Sequence, residues 1–300
     1  MKILMCTDGS GFAEDAIRFS GRIAQAMGWD ISILYVRPRA SSEHRIHLTT
    51  ARKKLNEWNL DIPGVSYLKR AKEILMETDA AKILPAVETE LKQTFREGVY
   101  GATEIHLDGI HGENVRLRLR EGETIDEILE EAKGGNYDLI VTGSRGHKGI
   151  ARYFIGSIEM SVAKHAPCSV LIAKNIKGHE DFLITTDGSE MAERAEIFIA
   201  PIARALDARV TILSIAEEGI DEVKAIERAR RAEMIVSQMG LTSDIKVGIG
   251  RPAEEIIEEA RNHDLVVLSA SGSSGVKTFF MGSVPLKVIE YGETPVLIVR

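Results

Sequence analysis

The sequence is short of cysteine: only Cys6 and Cys168 occur in 300 residues. Both sit in apolar, strand-like surroundings and in no metal or redox spacing, which fits free buried thiols in a reducing compartment. An excess of positive charge is also missing. Lys and Arg total 38 against 45 Asp and Glu, for a net charge of -7, so the basic face of a nucleic-acid binder is not expected. No window reaches the roughly 18 uninterrupted apolar residues of a membrane span. Met1-Lys2-Ile3-Leu4-Met5 runs straight into a strand-like segment without the features of a secretory leader. A cytoplasmic protein with no nucleic-acid or membrane partner is expected. The phosphate-binding motif Gly-x-x-x-x-Gly-Lys-Ser/Thr is absent, and no serine, histidine and aspartate set assembles, so no catalytic residue is assigned.

What is present is a repeat. The apolar run Lys2-Ile3-Leu4-Met5-Cys6 ends in Thr7-Asp8-Gly9-Ser10, and Asp181-Phe182-Leu183-Ile184-Thr185 ends in Thr186-Asp187-Gly188-Ser189. Gly122 to Ala132 is echoed by Gly250 to Ala260, and the closing run Pro167 to Ala173 by Pro295 to Arg300. Such self-similarity signals duplicated structural units. The expected organisation is a first domain over residues 1–175, carrying a helical insertion at about 38–114, and a second over 180–300. Within the insertion Leu84, Val87, Leu91 and Phe95 share one helical face. Elsewhere short apolar runs alternate with segments of helical period, and crossover connections of that kind demand parallel strands with helices on both faces. The fold class is therefore α/β, two tandem doubly wound five-stranded parallel sheets.

Two loops carry the chemistry. After the fourth strand of the first half comes Gly143-Ser144-Arg145-Gly146, then nine residues, then Gly156-Ser157 opening a helix; the second half has Ser269-Ala270-Ser271-Gly272, nine residues, then Gly282-Ser283. Glycine permits positive φ and close approach to phosphate oxygens. A Gly-Ser at a helix start adds exposed N–H groups and the positive end of the helix dipole. Arg145 and Lys148 add charge, or are simply solvated. His106, Asp108, His111 and Glu113 are metal-capable, but Gly109 and Gly112 read as a turn, and His44 and His47 lack a third ligand; no metal site is assigned.

The pattern Gly143, Gly146, Gly156-Ser157 after a strand, joined to Asp8 and the duplication, resembles the ATP-binding signature of the universal stress protein family. The resemblance implies the strand order 3-2-1-4-5 in each half, with the ligand at the switch point between strands one and four. It also implies an intramolecular pseudo-dimer through antiparallel pairing of the closing strands, and raises a homodimer of two chains as a further expectation. Carried over by position, it implies nucleotide contacts at Cys6, Thr7, Asp8, Val36, Thr142, Gly143, Arg145, Gly146, Gly156, Ser157 and Ile158. In the second half it implies contacts at Thr186, Asp187, Ile215, Ser269, Gly272, Gly282, Ser283 and Val284. Asp8 also has a bland reading, as a helix cap or Asx-turn at the strand-to-helix junction, which is compatible with binding. The ligand implied is an adenine nucleotide, ATP or AMP, with Mg as the companion cation of ATP, in a non-enzymatic role in stress adaptation or signalling. The alternatives are a slow ATPase or nucleotidyl-transfer enzyme, and a structural tandem that no longer binds nucleotide. The first-half site is expected to bind more tightly, because Ser269 and Ser271 stand where it has Gly143 and Arg145.

Overall fold

Runs such as Ile3-Leu4-Met5 and Leu183-Ile184 are apolar throughout, which suits a strand covered by helices on both faces rather than one open to water. The computed structural model describes residues 1–38, 64–77, 103–108, 114–144, 156–178, 180–216, 222–270 and 281–300, and these runs are its fully buried centre. The first half contributes strands β1 (Lys2–Cys6), β2 (Asp30–Arg37), β3 (Thr103–Asp108), β4 (Asn114–Glu121), β5 (Leu139–Gly143) and β6 (Ser169–Ala173). Its helices are α1 (Gly11–Met27), α2 (Val65–Glu77), α3 (Thr124–Gly135) and α4 (Ser157–His165). The second half contributes β7 (Asp181–Thr186), β8 (Arg209–Ala216), β9 (Asp244–Ile249), β10 (Leu265–Ser269) and β11 (Val296–Val299). With them come α5 (Glu190–Ala205), α6 (Glu222–Gln238), α7 (Pro252–Ala260) and α8 (Ser283–Tyr291).

All the strands join one 11-stranded sheet in the order β3-β4-β2-β1-β5-β6-β11-β10-β7-β8-β9. The order 3-2-1-4-5 appears twice, as β4-β2-β1-β5-β6 and as β9-β8-β7-β10-β11, parallel within each set. The first half differs from a five-stranded unit. Strand β3, inside the segment read as a helical insertion, pairs antiparallel with β4, with Asp108 opposite Asn114, and extends that edge by one strand. The helical face at Leu84 to Phe95 lies outside the described residues.

The halves meet where β6 and β11 pair antiparallel, Val170 opposite Ile298 and Ile172 opposite Val296. This closes two apolar edges that would otherwise invite aggregation. The residue after each closing strand then reaches across to the other half. Lys174 Nζ donates to the carbonyls of Ile289 and, at 2.9 Å, Gly292, at the end of α8. Arg300 Nη2 donates to those of Ala163 and, at 3.4 Å, Lys164, near the end of α4. Each cation thus satisfies carbonyls at the negative end of the opposite half's helix, which is the reciprocity of a pseudo-twofold arrangement. On the other face of the sheet Trp29 and Phe198 lie 6.0 Å apart between ring centres, and Arg22 forms an ion pair with Glu180.

Burial of Lys174 pushes its pKa down to about 8, with Glu159 and Glu293 nearby opposing the shift. Between about pH 8 and the unfolded value of 10.5 the unfolded chain holds a proton that the folded chain has released, so this group's contribution to stability rises with pH across that window. The stability of the wild type minus that of Lys174→Met, from denaturant melts at pH 7.5 and pH 10, is expected to increase by on the order of 2 kcal/mol. A flat or falling difference contradicts the burial argument.

Candidate functional site

The duplicated Thr-Asp-Gly-Ser turn follows β1 and β7 with nearly identical geometry. Gly9 N–H donates to Thr7 Oγ1 at 3.1 Å and Gly188 N–H to Thr186 Oγ1 at 3.2 Å. Ser10 and Ser189 N–H each donate to the preceding aspartate Oδ1 at 2.9 Å, which makes Asp8 and Asp187 Asx-turn residues. The serines themselves are the helix caps, accepting from Ala13 N–H at 3.3 Å and Ala192 N–H at 3.2 Å. Here glycine is required by conformation: φ is +77° at Gly9 and +73° at Gly188. The turn delivers an exposed carboxylate beside the carboxyl end of the central strand in each half.

At the second-half switch point, between the ends of β7 and β10, lies a cavity of about 320 Å³. Thr186, Asp187, Ile215, Ser269 and Val284 all line it, five of the positions the sequence singles out. Buried Leu213, Ile256 and Leu268 give it an aliphatic side, and Thr185, Thr186, Asp187, Ser269 and Arg228 give it a polar one. Gly282 caps α8 and Ser283 opens it beside Val284, so the free N–H groups of that helix start flank the cavity. Gly272 lies outside the described residues. Behind Thr186 stands Glu196 on α5, buried, with a pKa raised by that burial and restrained by a hydrogen bond with the Thr186 side chain. It fixes the threonine from the core side.

In the first half Cys6, Thr7 and Asp8 end β1, Thr142 and Gly143 end the adjacent β5, and Val36 lies near the end of β2. Gly156 caps α4, followed by Ser157 and Ile158, all three exposed. Arg145 and Gly146 lie outside the described residues. The Cys6 thiol is pushed up to about 12 by burial, so it stays protonated and is not a nucleophile at neutral pH.

The physical role of the loop glycines differs from the expectation. Gly143, Gly156 and Gly282 are not among the positive-φ residues. A Cβ on Gly143 would sit 2.6 Å from Phe12 O and 2.7 Å from Ala13 N and Cα, so this glycine lets the first turn of α1 lie against β5. It is a packing requirement, and the positive φ argued for that position does not apply.

Sequence reading passed over Leu213, Pro252, Ile256, Leu268, Pro285 and Arg228, all of which line the cavity. Ile256 was within reach, since the Gly250 to Ala260 echo marks α7 as the counterpart of α3. Arg228 was not, because α6 falls where the two halves differ most in length.

Comparison with known proteins follows the same division. The model of the universal stress protein family matches residues 1–174 and again 179–300. Universal stress protein Slr1230 of Synechocystis is 24% identical over 99% of both chains. YxiE of Bacillus subtilis is 27% identical over 58% of this chain and 98% of its own. The crystal structure of a universal stress protein from Archaeoglobus fulgidus, 18% identical, covers all of this chain and 98% of its own at a TM-score of 0.67, a likeness of fold.

Proposed function

This chain belongs to the universal stress protein family, and on that premise we propose that it binds an adenine nucleotide, ATP or AMP, at the switch point of each half and acts by occupancy rather than turnover. The observation that carries the reading is the second-half cavity. Its volume falls in the range of small-molecule sites, its aliphatic lining suits a purine base, and its polar lining of Thr186, Asp187, Ser269 and Arg228 suits a ribose and phosphates. The α8 start offers N–H groups to an anion from the same side. In the first half Thr7, Asp8, Thr142, Ser157 and Ile158 are the proposed counterparts, with Arg145 and Gly146 from the loop. A cytoplasmic role in stress adaptation, with Mg accompanying ATP, belongs to the same reading.

Purified protein is expected to release adenine nucleotide on denaturation, identified by mass spectrometry, and to hydrolyse labelled ATP more slowly than about 1 per second, the low end of ordinary enzyme turnover. Faster hydrolysis replaces the binding role with an enzymatic one. Protein that neither carries nor takes up nucleotide is a structural tandem.

A further inference from the structure

The duplicated turn carries a different side chain from the crossover helix in each half. In the first half Tyr67 of α2 lies over the turn: a Cβ on Gly9 would meet its ring at 2.3 Å. Tyr67 also packs edge-on against Tyr35, with ring centres 5.2 Å apart. In the second half the corresponding place belongs to Arg228 of α6. A Cβ on Gly188 would meet Arg228 Cγ at 2.8 Å, so glycine here also clears the path for the arginine stem. Arg228 is half-buried and lines the cavity together with Thr186 and Asp187. One turn along α6, Arg231 takes the nearby carboxylate of Glu193 at 2.8 Å. No hydrogen bond or ion pair engages the Arg228 guanidinium among the described residues.

We infer that Arg228 is the cation that receives the anionic part of the second-half ligand, in place of the loop arginine which that half lacks. The inference rests on the nucleotide-binding reading and adds to it a specific division of labour. The first half has Arg145 in its glycine-rich loop and an uncharged tyrosine over the turn. The second has Ser271 in the loop and an arginine over the turn. A guanidinium that lines a cavity and forms no ion pair among the described residues is a ready bidentate donor to phosphate oxygens. Its stem is held across Gly188, so little rotamer freedom remains to be lost on binding.

Hydrogen exchange of the full-length protein, read as ligand-dependent protection of peptides from β7, α7 and α8, reports the second site separately, and peptides from β1, α3 and α4 report the first. In titrations with ATP, AMP and adenosine, Arg228→Ala is expected to raise the second-half midpoint for ATP and AMP by about tenfold to a hundredfold. The adenosine midpoint and all first-half midpoints should stay within about twofold, since only a charged contact is removed. Arg228→Lys should recover part of the loss, because it keeps charge without the fork. Unchanged ATP and AMP midpoints in Arg228→Ala, with the parent protein protected by both, overturn the assignment alone. An equal loss for adenosine also overturns it, by placing the guanidinium against the base. A parent protein that no ligand protects in the second half overturns the nucleotide reading and the assignment together.

Discussion

Glu131→Ala is expected to destabilise the protein by about 3 kcal/mol, and the duplicated change Glu259→Ala by less than about 1 kcal/mol. The two carboxylates hold corresponding places, each on the helix after the third parallel strand and each paired with a cation of that strand. Glu131 of α3 meets Arg118 of β4, and Glu259 of α7 meets Lys246 of β9. Their surroundings differ. Glu131 is 7% exposed and also accepts from Tyr137 Oη at 2.9 Å, with Arg120 at 3.7 Å. Removing the carboxylate leaves several polar groups that were arranged around it in a poorly hydrated place. The partial exposure of Arg118, 23%, keeps the cost at the low end of the range for breaking a buried pair. Lys246 is 52% exposed and returns to water when its partner is lost. Urea melts of both variants compare the costs directly, and equal losses contradict the idea that the deeper burial of Glu131 and its additional partners set the two costs apart.

The second large effect concerns the cavity. Val284→Trp, on the first turn of α8, puts an indole into the space enclosed by Ile215, Ile256 and Leu268. Calorimetric titration of this variant with ATP is expected to show one binding event per chain where the wild type shows two, the second-half event weakening by more than about a hundredfold because the ligand and the indole claim the same volume. Overpacking should cost about 1–3 kcal/mol of stability, so a melt beside the titration separates lost binding from lost folding. A folded variant with both events intact places the second ligand elsewhere.

Much of this architecture was legible because it is written twice. The echo of Thr-Asp-Gly-Ser, of the α3 and α7 sequences and of the closing strands places β1 and β7 ahead of their turns, β4 and β9 ahead of α3 and α7, and β6 and β11 at the close of each half, and the family resemblance implies the pairing of the closing strands. Strand β3 falls inside the segment read as a helical insertion, although Glu104-Ile105-His106-Leu107-Asp108 alternates polar and apolar residues with period two. The role of Gly143 was not legible. Glycine after a strand reads as room for a ligand or room for a helix, and only the 2.6 Å approach of Phe12 O decides for the helix. Arg228 was hidden for a related reason: unequal lengths between β2 and β4 and between β8 and β9 remove the register that would align it with Tyr67. These two findings also revise the expected inequality of the sites. Ser269 no longer counts as a loss of backbone approach to phosphate, and Arg228 offers the second half a cation of its own, so these positions no longer require the second site to be the weaker one.

The central claim is that adenine nucleotide occupies the carboxyl-end switch point of both halves. Photo-crosslinking of the intact protein with 8-azido-ATP, followed by peptide mapping, tests it most directly. The account predicts saturable labelling, suppressed by AMP, in one set of first-half peptides around Thr7-Asp8, Val36 or Ser157-Ile158 and one set of second-half peptides around Thr186-Asp187, Ile215 or Ser283-Val284. Labelling that does not saturate, or that falls only on peptides remote from these strand ends and helix starts, contradicts it.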